Sequence, residues 1–524
     1  MRGAIAAGHP LTAEAGAEIL REGGNAVDAC VAAAFASWVV ESPLTGPGGG
    51  GFLLVHRARD DSVRLLDFFA AIPGRGLARP PREMDEVVVE FDRDTSQVFR
   101  IGAASCAVPG AVAGVEAAHE AYGQLEWSRL FQPAIELARG GFELTPPQAY
   151  LHKILDLILR HSEPGREVYG PGGGRLVAGD RLVMHDLAET LEQLAGEGAR
   201  ALYGGELGRR LARYVRAEGG AITIGDLEEY RVVSRRSVRV PFGRHEFVSN
   251  PPPSSGGVLI GYALLLLARL GVGGRAGSAD AIAQLAEVMR EQTRVRGGSF
   301  ARDLHRGGLA RRLFGESSLE EAAARIEARE RGRAETAGAP GTTHISVVDA
   351  TGNAASLTAS TGSGSGVVVP GTGIHLNNML GEYDLNPVTT RGDGAALAGR
   401  RLTSMMAPSL VLEGARPRLV VGSAGSIRLR GAILQIVVNV TAHGMTVGEA
   451  IDAPRIHLEE PQVHCEGGSD QDQLDRLEAW GYELVRWRKQ NLYFGGAAAV
   501  ELREDGSLDA AGDPRRGGHG IVVE

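Results

Sequence analysis

The stretch "GAPGTTHISVVD", residues 338–349, places two threonines directly after a glycine and at the start of a predicted β-strand. A pair of threonines in such a place is usually explained by β-propensity alone. The alternative is that the chain cleaves itself between Gly341 and Thr342. The segment just before this bond, "ETAGAP", is polar and rich in small residues, and cleavage is tolerated in segments of this kind.

Self-cleavage would give Thr342 a chemical role. A threonine hydroxyl is a weak nucleophile unless a base lies beside it, and the α-amine of an N-terminal threonine can be that base. A free α-amine has a pKa near ~7.7–8.0, so much of it is neutral close to physiological pH. Gly341 leaves the preceding carbonyl open to attack by the hydroxyl, through an ester that then hydrolyses. Thr343 is the rival nucleophile, and its other role would be strand pairing.

Composition excludes several classes of function. The chain has 524 residues, is 43% hydrophobic and 23% charged, and carries a formal charge of −9 without a long basic run. Nucleic acid and anionic membranes are therefore not expected as partners. There is no HExxH motif and no cysteine cluster, so we expect neither a metal nor another cofactor. Three cysteines and an N-terminus without an apolar core of signal-peptide length predict a cytoplasmic protein.

Local patterns predict helices and strands on both sides of Gly341. One helix is expected to begin near Thr12, and an alanine-rich helix to begin at Asn25 with a capping box to Asp28. The glycine run "GPGGGG", residues 46–51, follows a helix and precedes a strand. A dinucleotide site needs the reverse order, so a tight buried turn is predicted instead.

After Thr342, the pattern predicts two strands around a turn at 349–353. A strand, a Gly/Ser turn and a helix are predicted over 415–444, and a hairpin over 497–513. Sheets between helical layers are the expected arrangement.

Several segments, in order along the chain, resemble the γ-glutamyltransferase (γ-glutamyltranspeptidase) family of N-terminal-nucleophile hydrolases. They include "GHPLTAEAGAEILREGGNAVDAC", "GPGGGGF", "NPPPSSGG", "GTTHISVVDATGNAASLT", "RRLTSMMAPSLVL" and "VGSAGS". The resemblance implies an α+β fold, a four-layer αββα sandwich built from both halves of a self-cleaved precursor. It also implies a large subunit, residues 1–341, and a small subunit, residues 342–524, which together form one folded unit and a heterodimer.

The resemblance assigns the catalytic residues. It implies that Thr342 is the nucleophile and the new N-terminus, and that the Ser360 hydroxyl orients the α-amine. The backbone N–H groups of Gly425 and Ser426 correspond to the oxyanion hole. The family usually has glycine where Ser426 stands, but a backbone donor survives that change.

Substrate-binding residues follow from the same resemblance. Thr403 and Ser404 correspond to a hydroxyl pair that binds the substrate's α-carboxylate. Asn377 and Asn378 are expected to shape the pocket wall. Glu382 takes the place of an aspartate that pairs with the substrate amine.

Other positions depart from the family. Phe69, in "DFFAAIP", stands where the family carries an arginine that binds the γ-glutamyl carboxylate, a bidentate contact that phenylalanine cannot supply. Arg75 is either a substitute or a surface loop arginine. Met379 stands where the family has Glu or Gln, and Gly362 lies near the place of a substrate-contacting asparagine. The loop between 382 and 403 is short, which argues against a long lid.

These observations predict a self-processing amidohydrolase or acyltransferase. Its substrate would be a small-molecule γ-glutamyl-like or other acyl amide, and water or an amine would be the acceptor. Turnover of glutathione itself is less expected, because positions that bind the γ-glutamyl group in the family carry other residues here. One alternative is a cephalosporin- or glutaryl-acylase-like amidase on the same fold. An alternative of another class is a non-catalytic relative that serves in binding or assembly.

Overall fold

The computed structural model describes residues 2–77, 80–92, 95–328, 341–383 and 397–524. Within these ranges, the helices are α1 (Pro10–Arg21), α2 (Ala26–Val40), α3 (Ala111–Tyr122), α4 (Gln132–Gly140), α5 (Pro146–Ile154), α6 (Asp156–Leu159), α7 (Glu163–Tyr169), α8 (His185–Glu197), α9 (Glu206–Ala217), α10 (Ile224–Glu228), α11 (Gly256–Leu270), α12 (Ala279–Arg294), α13 (Phe300–Arg306), α14 (Leu309–Leu313), α15 (Glu316–Glu327), α16 (Leu429–Thr441), α17 (Val447–Asp452) and α18 (Gln471–Ala479).

The strands in the same described ranges are β1 (Gly3–Ala7), β2 (Gly50–Arg57), β3 (Ser62–Phe68), β4 (Asp85–Asp92), β5 (Thr95–Ile101), β6 (Phe142–Glu143), β7 (Arg181–Leu182), β8 (Val233–Arg235), β9 (Val238–Phe242), β10 (His245–Ser249), β11 (Thr343–Asp349), β12 (Ala354–Ser360), β13 (Val368–Val369), β14 (Ile374–His375), β15 (Ser409–Glu413), β16 (Arg416–Ala424), β17 (Ile456–Glu459), β18 (Gln462–Cys465), β19 (Glu483–Arg486), β20 (Gly496–Leu502), β21 (Leu508–Gly512) and β22 (His519–Val523).

Two antiparallel sheets carry the architecture. The larger sheet has the strand order β22-β1-β11-β12-β2-β3-β8, and the smaller has the order β21-β20-β16-β15-β10-β9. In the larger sheet, Ile5 of β1 lies opposite Val347 of β11, and Leu53 of β2 lies opposite Leu357 of β12. Both sheets therefore combine strands from before and after the Gly341–Thr342 bond.

Helices cover the outer faces of the two sheets. Helix α1 packs on β1 and β22, and α2 packs on β11 and β12. Helices α11 and α16 pack on the smaller sheet, and β11 and β12 face β16 across the space between the sheets. Every residue of α2 is buried, and its many alanines let the helix backbone approach the sheet closely, as the sequence predicts.

The predicted helix starts have different outcomes. The capping box that begins α2 is confirmed, because Asn25 and Asp28 exchange both hydrogen bonds. Helix α1 begins at Pro10, close to the predicted start near Thr12, but His9 and not Thr12 is its N-cap. The Thr12 hydroxyl donates instead to Glu41 Oε1 at 2.8 Å, so a tertiary contact takes the side chain that a local cap would use.

The glycine run is a buried turn, as predicted. A β-carbon at residue 49 would lie 2.5 Å from the Ser360 carbonyl oxygen, and one at residue 50 would lie 2.8 Å from the Ala70 amide nitrogen. Added β-carbons at Gly48 and Gly51 would also meet backbone atoms at shorter than contact distance. This turn therefore holds β2 against the end of β12, next to the Gly341–Thr342 bond.

The elements predicted after Thr342 are confirmed. Strands β11 and β12 flank the turn at 349–353, β16 leads through a turn into α16, and β20 and β21 form the late hairpin. Residues 384–396, most of the loop that the sequence suggests is short, lie outside the described residues. Among the residues described, no helix is both long and apolar enough to cross a bilayer.

Candidate active site

Ser360 lies directly on the bond predicted to be cleaved. Its hydroxyl donates to the Gly341 carbonyl oxygen and accepts a hydrogen bond of 2.7 Å from the Gly362 amide. Ser360 and Thr342 are both buried, and Thr342 is 5% exposed. With Gly341 and Thr342 joined, the hydroxyl that the resemblance assigns to the future amine therefore donates to the carbonyl of the bond itself.

The backbone around Gly341 lies so close to that of Gly362 that only glycine fits at position 341. A β-carbon there would overlap the Gly362 carbonyl, so the site has no room for any other residue. Gly362 has φ +70°, and an added β-carbon would meet Asn378 Oδ1 and lie 3.1 Å from Glu382 Oε1. Gly341, Gly362, Asn378 and Glu382 are therefore brought together in one place.

The two neighbouring asparagines, Asn377 and Asn378, bind different parts of the backbone around the site. Asn377 donates to the carbonyls of Gly48 and Ala107 at 2.7 and 2.9 Å, which ties the glycine turn to the wall of the site. Asn378 accepts from the Ser363 amide at 3.0 Å and donates to the Ser363 hydroxyl at 2.7 Å. Both side chains are held rigidly beside the cleavage site.

The turn between β16 and α16 contains two consecutive residues with positive φ. Gly425 has φ 126°, and Ser426 has φ 53°, in the left-handed region that non-glycine residues rarely adopt. Among the residues that the structure describes, the N–H groups of Gly425 and Ser426 have no hydrogen-bond acceptor. Both donors are thus free to bind a developing oxyanion.

Two contacts relate this turn to the threonines. An added β-carbon at Gly422 of β16 would meet the ring of His344, so β16 passes directly beside the start of β11. Arg516 Nη1 donates to the Thr342 carbonyl at 3.1 Å, and the same side chain packs on Gly496, which lies opposite Ala424 in the sheet. The predicted nucleophile and the predicted oxyanion turn therefore share neighbours.

Thr403 and Ser404 are buried, next to the segment that follows Phe69. The Leu402 amide donates to the Ala70 carbonyl at 3.0 Å. The Ser404 carbonyl accepts from the Ser255 amide at 2.8 Å, and the Ser404 hydroxyl accepts from the Met406 amide at 3.0 Å. The proline turn at 250–255 thus fixes this segment.

Phe69 is part of an apolar wall. Its ring stacks on Phe52 with 5.4 Å between centroids, is 1% exposed, and belongs to the same buried cluster as Met379, Leu402 and Met406. The two positions at which the sequence departs most from the family, 69 and 379, therefore lie in one apolar cluster.

Among the described residues, three arginines near this wall form ion pairs with acidic side chains of the protein. Arg75 forms an ion pair with Glu229 at 2.8 Å, which supports its interpretation as a surface loop residue. Arg235 and Arg401 both pair with the buried Asp67, at 2.7 and 3.2 Å.

Sequence analysis missed two buried charged residues beside the threonines. The Thr343 hydroxyl donates to Glu41 Oε2 at 2.5 Å, and Arg516 holds the Thr342 carbonyl. Glu41 is the residue that caps the C-terminal end of the apolar helix α2, an unusual place for a buried carboxylate. The position of Glu41 at the end of an apolar helix is a sequence pattern that could have marked it as functional, whereas the sequence around Arg516 has no such pattern.

His344, two residues after Thr342, has a structural role. Its ring nitrogens contact the hydroxyls of Thr358 and Ser346 at 2.8 and 2.9 Å, and burial lowers its pKa to about 3. The ring is therefore neutral at physiological pH. Among the described residues, no group of three or more His, Cys, Asp or Glu side chains is arranged to hold a metal ion.

Known proteins match this chain over almost its whole length. The family model described as Gamma-glutamyltranspeptidase matches residues 12–523. The chain is 35% identical to the Acylase ACY 1 proenzyme of Pseudomonas sp. (strain SE83), over 100% of this chain and 94% of that protein. It is 31% identical to the Glutathione hydrolase proenzyme of Escherichia coli (strain K12), over 98% of this chain and 90% of that protein.

Solved structures agree. The crystal structure of a cephalosporin acylase from Bacillus halodurans superposes with a TM-score of 0.84 at 24% identity, covering 100% of this chain and 96% of that one. The Helicobacter pylori gamma-glutamyltranspeptidase superposes with a TM-score of 0.53 at 30% identity, covering 63% of this chain and 91% of that chain. The chain therefore belongs to the gamma-glutamyltranspeptidase family.

Proposed function

We propose that this protein is a self-processing N-terminal-nucleophile amidohydrolase or acyltransferase, with Thr342 as its nucleophile. The observation that carries the proposal is the hydrogen bond from the Ser360 hydroxyl to the carbonyl of Gly341, the residue just before Thr342. The family membership and the proenzyme names of the relatives support it. We also propose a four-layer αββα sandwich as the fold of the processed enzyme, which the contacts of helices with both sheets support.

Cleavage would begin with attack of Thr342 Oγ on the Gly341 carbonyl carbon. Ser360 stabilises the oxygen of that carbonyl as negative charge develops on it. The C–N bond then breaks, the nitrogen takes up the proton that the hydroxyl gave up, and an ester joins Gly341 to the Thr342 side chain. Water hydrolyses the ester, which leaves a carboxylate on Gly341 and a free α-amine on Thr342.

Turnover would use the same hydroxyl with a new base. The Thr342 α-amine removes the hydroxyl proton as Oγ attacks the substrate amide, and the N–H groups of Gly425 and Ser426 bind the oxyanion. The amine then protonates the leaving nitrogen, and an acyl-threonine ester remains. Water or an amine acceptor resolves the ester. Residues 1–341 and 342–524 would stay together as a heterodimer, because each sheet contains strands from both segments.

The experiment that tests this mechanism compares the wild type with Thr342→Ala. We expect the wild type to give two fragments, residues 1–341 and 342–524, with an N-terminal threonine on the second. The Thr342→Ala protein should remain one chain and should neither turn over an acyl amide nor retain an acyl probe. An uncleaved wild type, or an alanine variant with full turnover, would overturn the proposal. A cleaved wild type that forms no acyl-enzyme would support the non-catalytic alternative.

The substrate proposal is an acyl amide whose acyl group is less zwitterionic than γ-glutamate. Glu382, Asn378, Thr403 and Ser404 would contact its polar atoms, while the wall around Phe69 would contact its carbon chain. This wall is the observation that favours the second candidate, a cephalosporin- or glutaryl-acylase-like amidase, as do the names of two of the relatives.

A panel of γ-glutamyl, glutaryl and adipyl anilides separates the two candidates. If the apolar wall sets specificity, kcat/KM should be higher for the glutaryl and adipyl compounds than for the γ-glutamyl compound. Preference for the γ-glutamyl anilide would favour the glutathione-hydrolase-like activity. Addition of an amine acceptor shows whether water alone resolves the ester.

A further inference from the structure

Two buried charged residues hold the Thr342–Thr343 segment, one through the Thr343 side chain and the other through the Thr342 carbonyl. The Thr343 hydroxyl donates to Glu41 Oε2 at 2.5 Å, and Arg516 Nη1 donates to the Thr342 carbonyl at 3.1 Å. Glu41 and Arg516 are each 6% exposed. Burial of a carboxylate and a guanidinium costs free energy unless each is paired and hydrogen-bonded. A role that offsets this cost is therefore expected for both residues.

Glu41 is fixed in place by elements of the large segment. It ends α2, where its own amide donates to the Ser37 carbonyl at 2.9 Å. Its second carboxylate oxygen accepts from Thr12 of α1 at 2.8 Å. Burial raises the pKa of Glu41, while the two threonine hydroxyls and the positive charge of Arg516 act against that rise. The carboxylate therefore has no freedom to follow a displaced Thr343.

Arg516 is fixed by the small segment. Its side chain packs on Gly496, where any β-carbon would collide with it. Gly496 lies opposite Ala424, the residue just before the turn at Gly425 and Ser426. Burial lowers the pKa of Arg516 to about 10, and at neutral pH the side chain remains charged. It therefore links the Thr342 carbonyl to the strand that carries the proposed oxyanion hole.

We infer that Glu41 and Arg516 are positioning residues that clamp the backbone on the C-terminal side of the nucleophile. By holding the Thr343 side chain and the Thr342 carbonyl, they set the direction of the Thr342 hydroxyl relative to the carbonyl that it attacks. Misplacement of a nucleophile by about 1 Å can lower a rate by about 10²-fold, so a rigid clamp has a kinetic effect without touching substrate. This inference rests on the proposed function.

The direct test is Thr343→Val, which keeps the shape and β-propensity of the residue and removes only the hydroxyl that binds Glu41. We expect cleavage of the Gly341–Thr342 bond to slow by about tenfold or more, and kcat of the processed enzyme to fall while KM stays nearly constant. Thr343→Ser restores the hydroxyl and should recover most of both rates. Arg516→Gln should slow the same two steps.

The matched control is Thr190→Val. Thr190 is also buried, and its hydroxyl donates to the Thr372 carbonyl at 2.8 Å, on a helix that does not carry a proposed site residue. Thermal unfolding midpoints are measured for both variants. If the clamp positions the nucleophile, Thr343→Val slows cleavage by more than its loss of stability explains, whereas Thr190→Val cleaves at the wild-type rate.

The outcomes are distinct. Normal cleavage and kcat in Thr343→Val overturn the clamp and leave the proposed function standing. Equal slowing in Thr343→Val and Thr190→Val, in step with lost stability, assigns Glu41 a purely structural role and also overturns it. If Thr343→Val does not fold, unchanged rates in a folded Arg516→Gln decide against the clamp. A wild type that never cleaves contradicts the proposed function itself.

Discussion

At the scale of single residues, Ser426 and Asp61 are the two non-glycine residues with a positive φ among those that the structure describes. The φ of 53° at Ser426 costs a non-glycine residue about 1–2 kcal/mol, and we attribute this conformation to the proposed role of the Gly425 and Ser426 N–H groups as an oxyanion hole. We predict that Ser426→Val, with a branched β-carbon, lowers both kcat and the urea midpoint strongly. Ser426→Gly should retain much more of both, because the donor belongs to the backbone.

Steady-state kinetics and urea unfolding of the two variants check this prediction. A Ser426→Gly enzyme as impaired as Ser426→Val would mean that the serine hydroxyl, and not the amide, contacts the reacting group.

The contact of Ser360 with the Gly341 carbonyl leads to a second prediction at this scale. Ser360→Ala removes a donor to the oxygen on which charge develops, and the loss of one such donor typically lowers a rate by about 10²–10³-fold. We expect the precursor to persist on a gel over a time course in which the wild type is fully cleaved. Ser360→Thr should cleave faster than Ser360→Ala because it keeps a hydroxyl.

The control for Ser360→Ala is Ser105→Ala. Ser105 is fully buried and its hydroxyl donates to the Gly102 carbonyl at 2.7 Å, so the two variants lose the same kind of hydrogen bond. Cleavage of Ser360→Ala at the rate of Ser105→Ala would remove Ser360 from the mechanism.

At the residue level, the sequence points to residues whose signal is local. Gly341 and Thr342 stand out as a pair in the sequence, and in the structure Thr342 is buried and Gly341 packs closely on Gly362, while their catalytic roles stay a prediction. Glu41 and Arg516 come from opposite ends of the chain, and no pattern in the sequence relates a residue near position 40 to one near 516. Their contact with Thr342 and Thr343 depends on the tertiary fold, in which β11 lies between β1 and β12 inside the larger sheet.

At the scale of elements, the glycine turn before β2 makes a prediction with an internal control. A β-carbon at Gly49 would lie 2.5 Å from the Ser360 carbonyl, whereas one at Gly46 would lie 3.9 Å from its nearest neighbour. Gly49→Ala must push β12 and Ser360 aside, so we expect slower self-cleavage and a lower unfolding midpoint. Gly46→Ala should behave like the wild type in both measurements.

Gel time courses and thermal unfolding test the pair. Equal behaviour of the two alanine variants would show that the turn can accommodate a β-carbon at position 49. It would also show that the turn does not position Ser360.

Elements defined by local chemistry were predictable, and their arrangement was not. The capping box of α2 and the turn between β11 and β12 follow from residues within a few positions of each other. The order of the strands in each sheet depends on pairs far apart along the chain, such as β1 with β11 and β10 with β15. Thr12 illustrates the same limit. Its hydroxyl donates to Glu41, a residue distant in sequence, and does not cap the start of α1.

At the scale of the whole molecule, burial of neutral histidines sets how the fold responds to acid. Burial lowers the pKa of His9, His152 and His375 to about 4 and that of His344 to about 3. In the unfolded chain a histidine has a pKa of about 6.5. Between pH 6.5 and 4 the unfolded chain therefore binds protons that the folded chain does not, and the free energy of unfolding must fall as the pH falls through this window.

We predict a steep loss of stability below pH 6.5, measured as the urea midpoint of the uncleaved Thr342→Ala chain at pH 7.5, 6.5, 5.5 and 4.5. His152→Leu isolates the cause, because this side chain is buried and its Nδ1 has no partner among the described residues. That variant should lose less stability between pH 6.5 and 4.5 than its parent. The exposed His185→Leu should keep the parent's pH dependence. Equal slopes for all three proteins would assign the acid sensitivity to carboxylates rather than to the buried histidines.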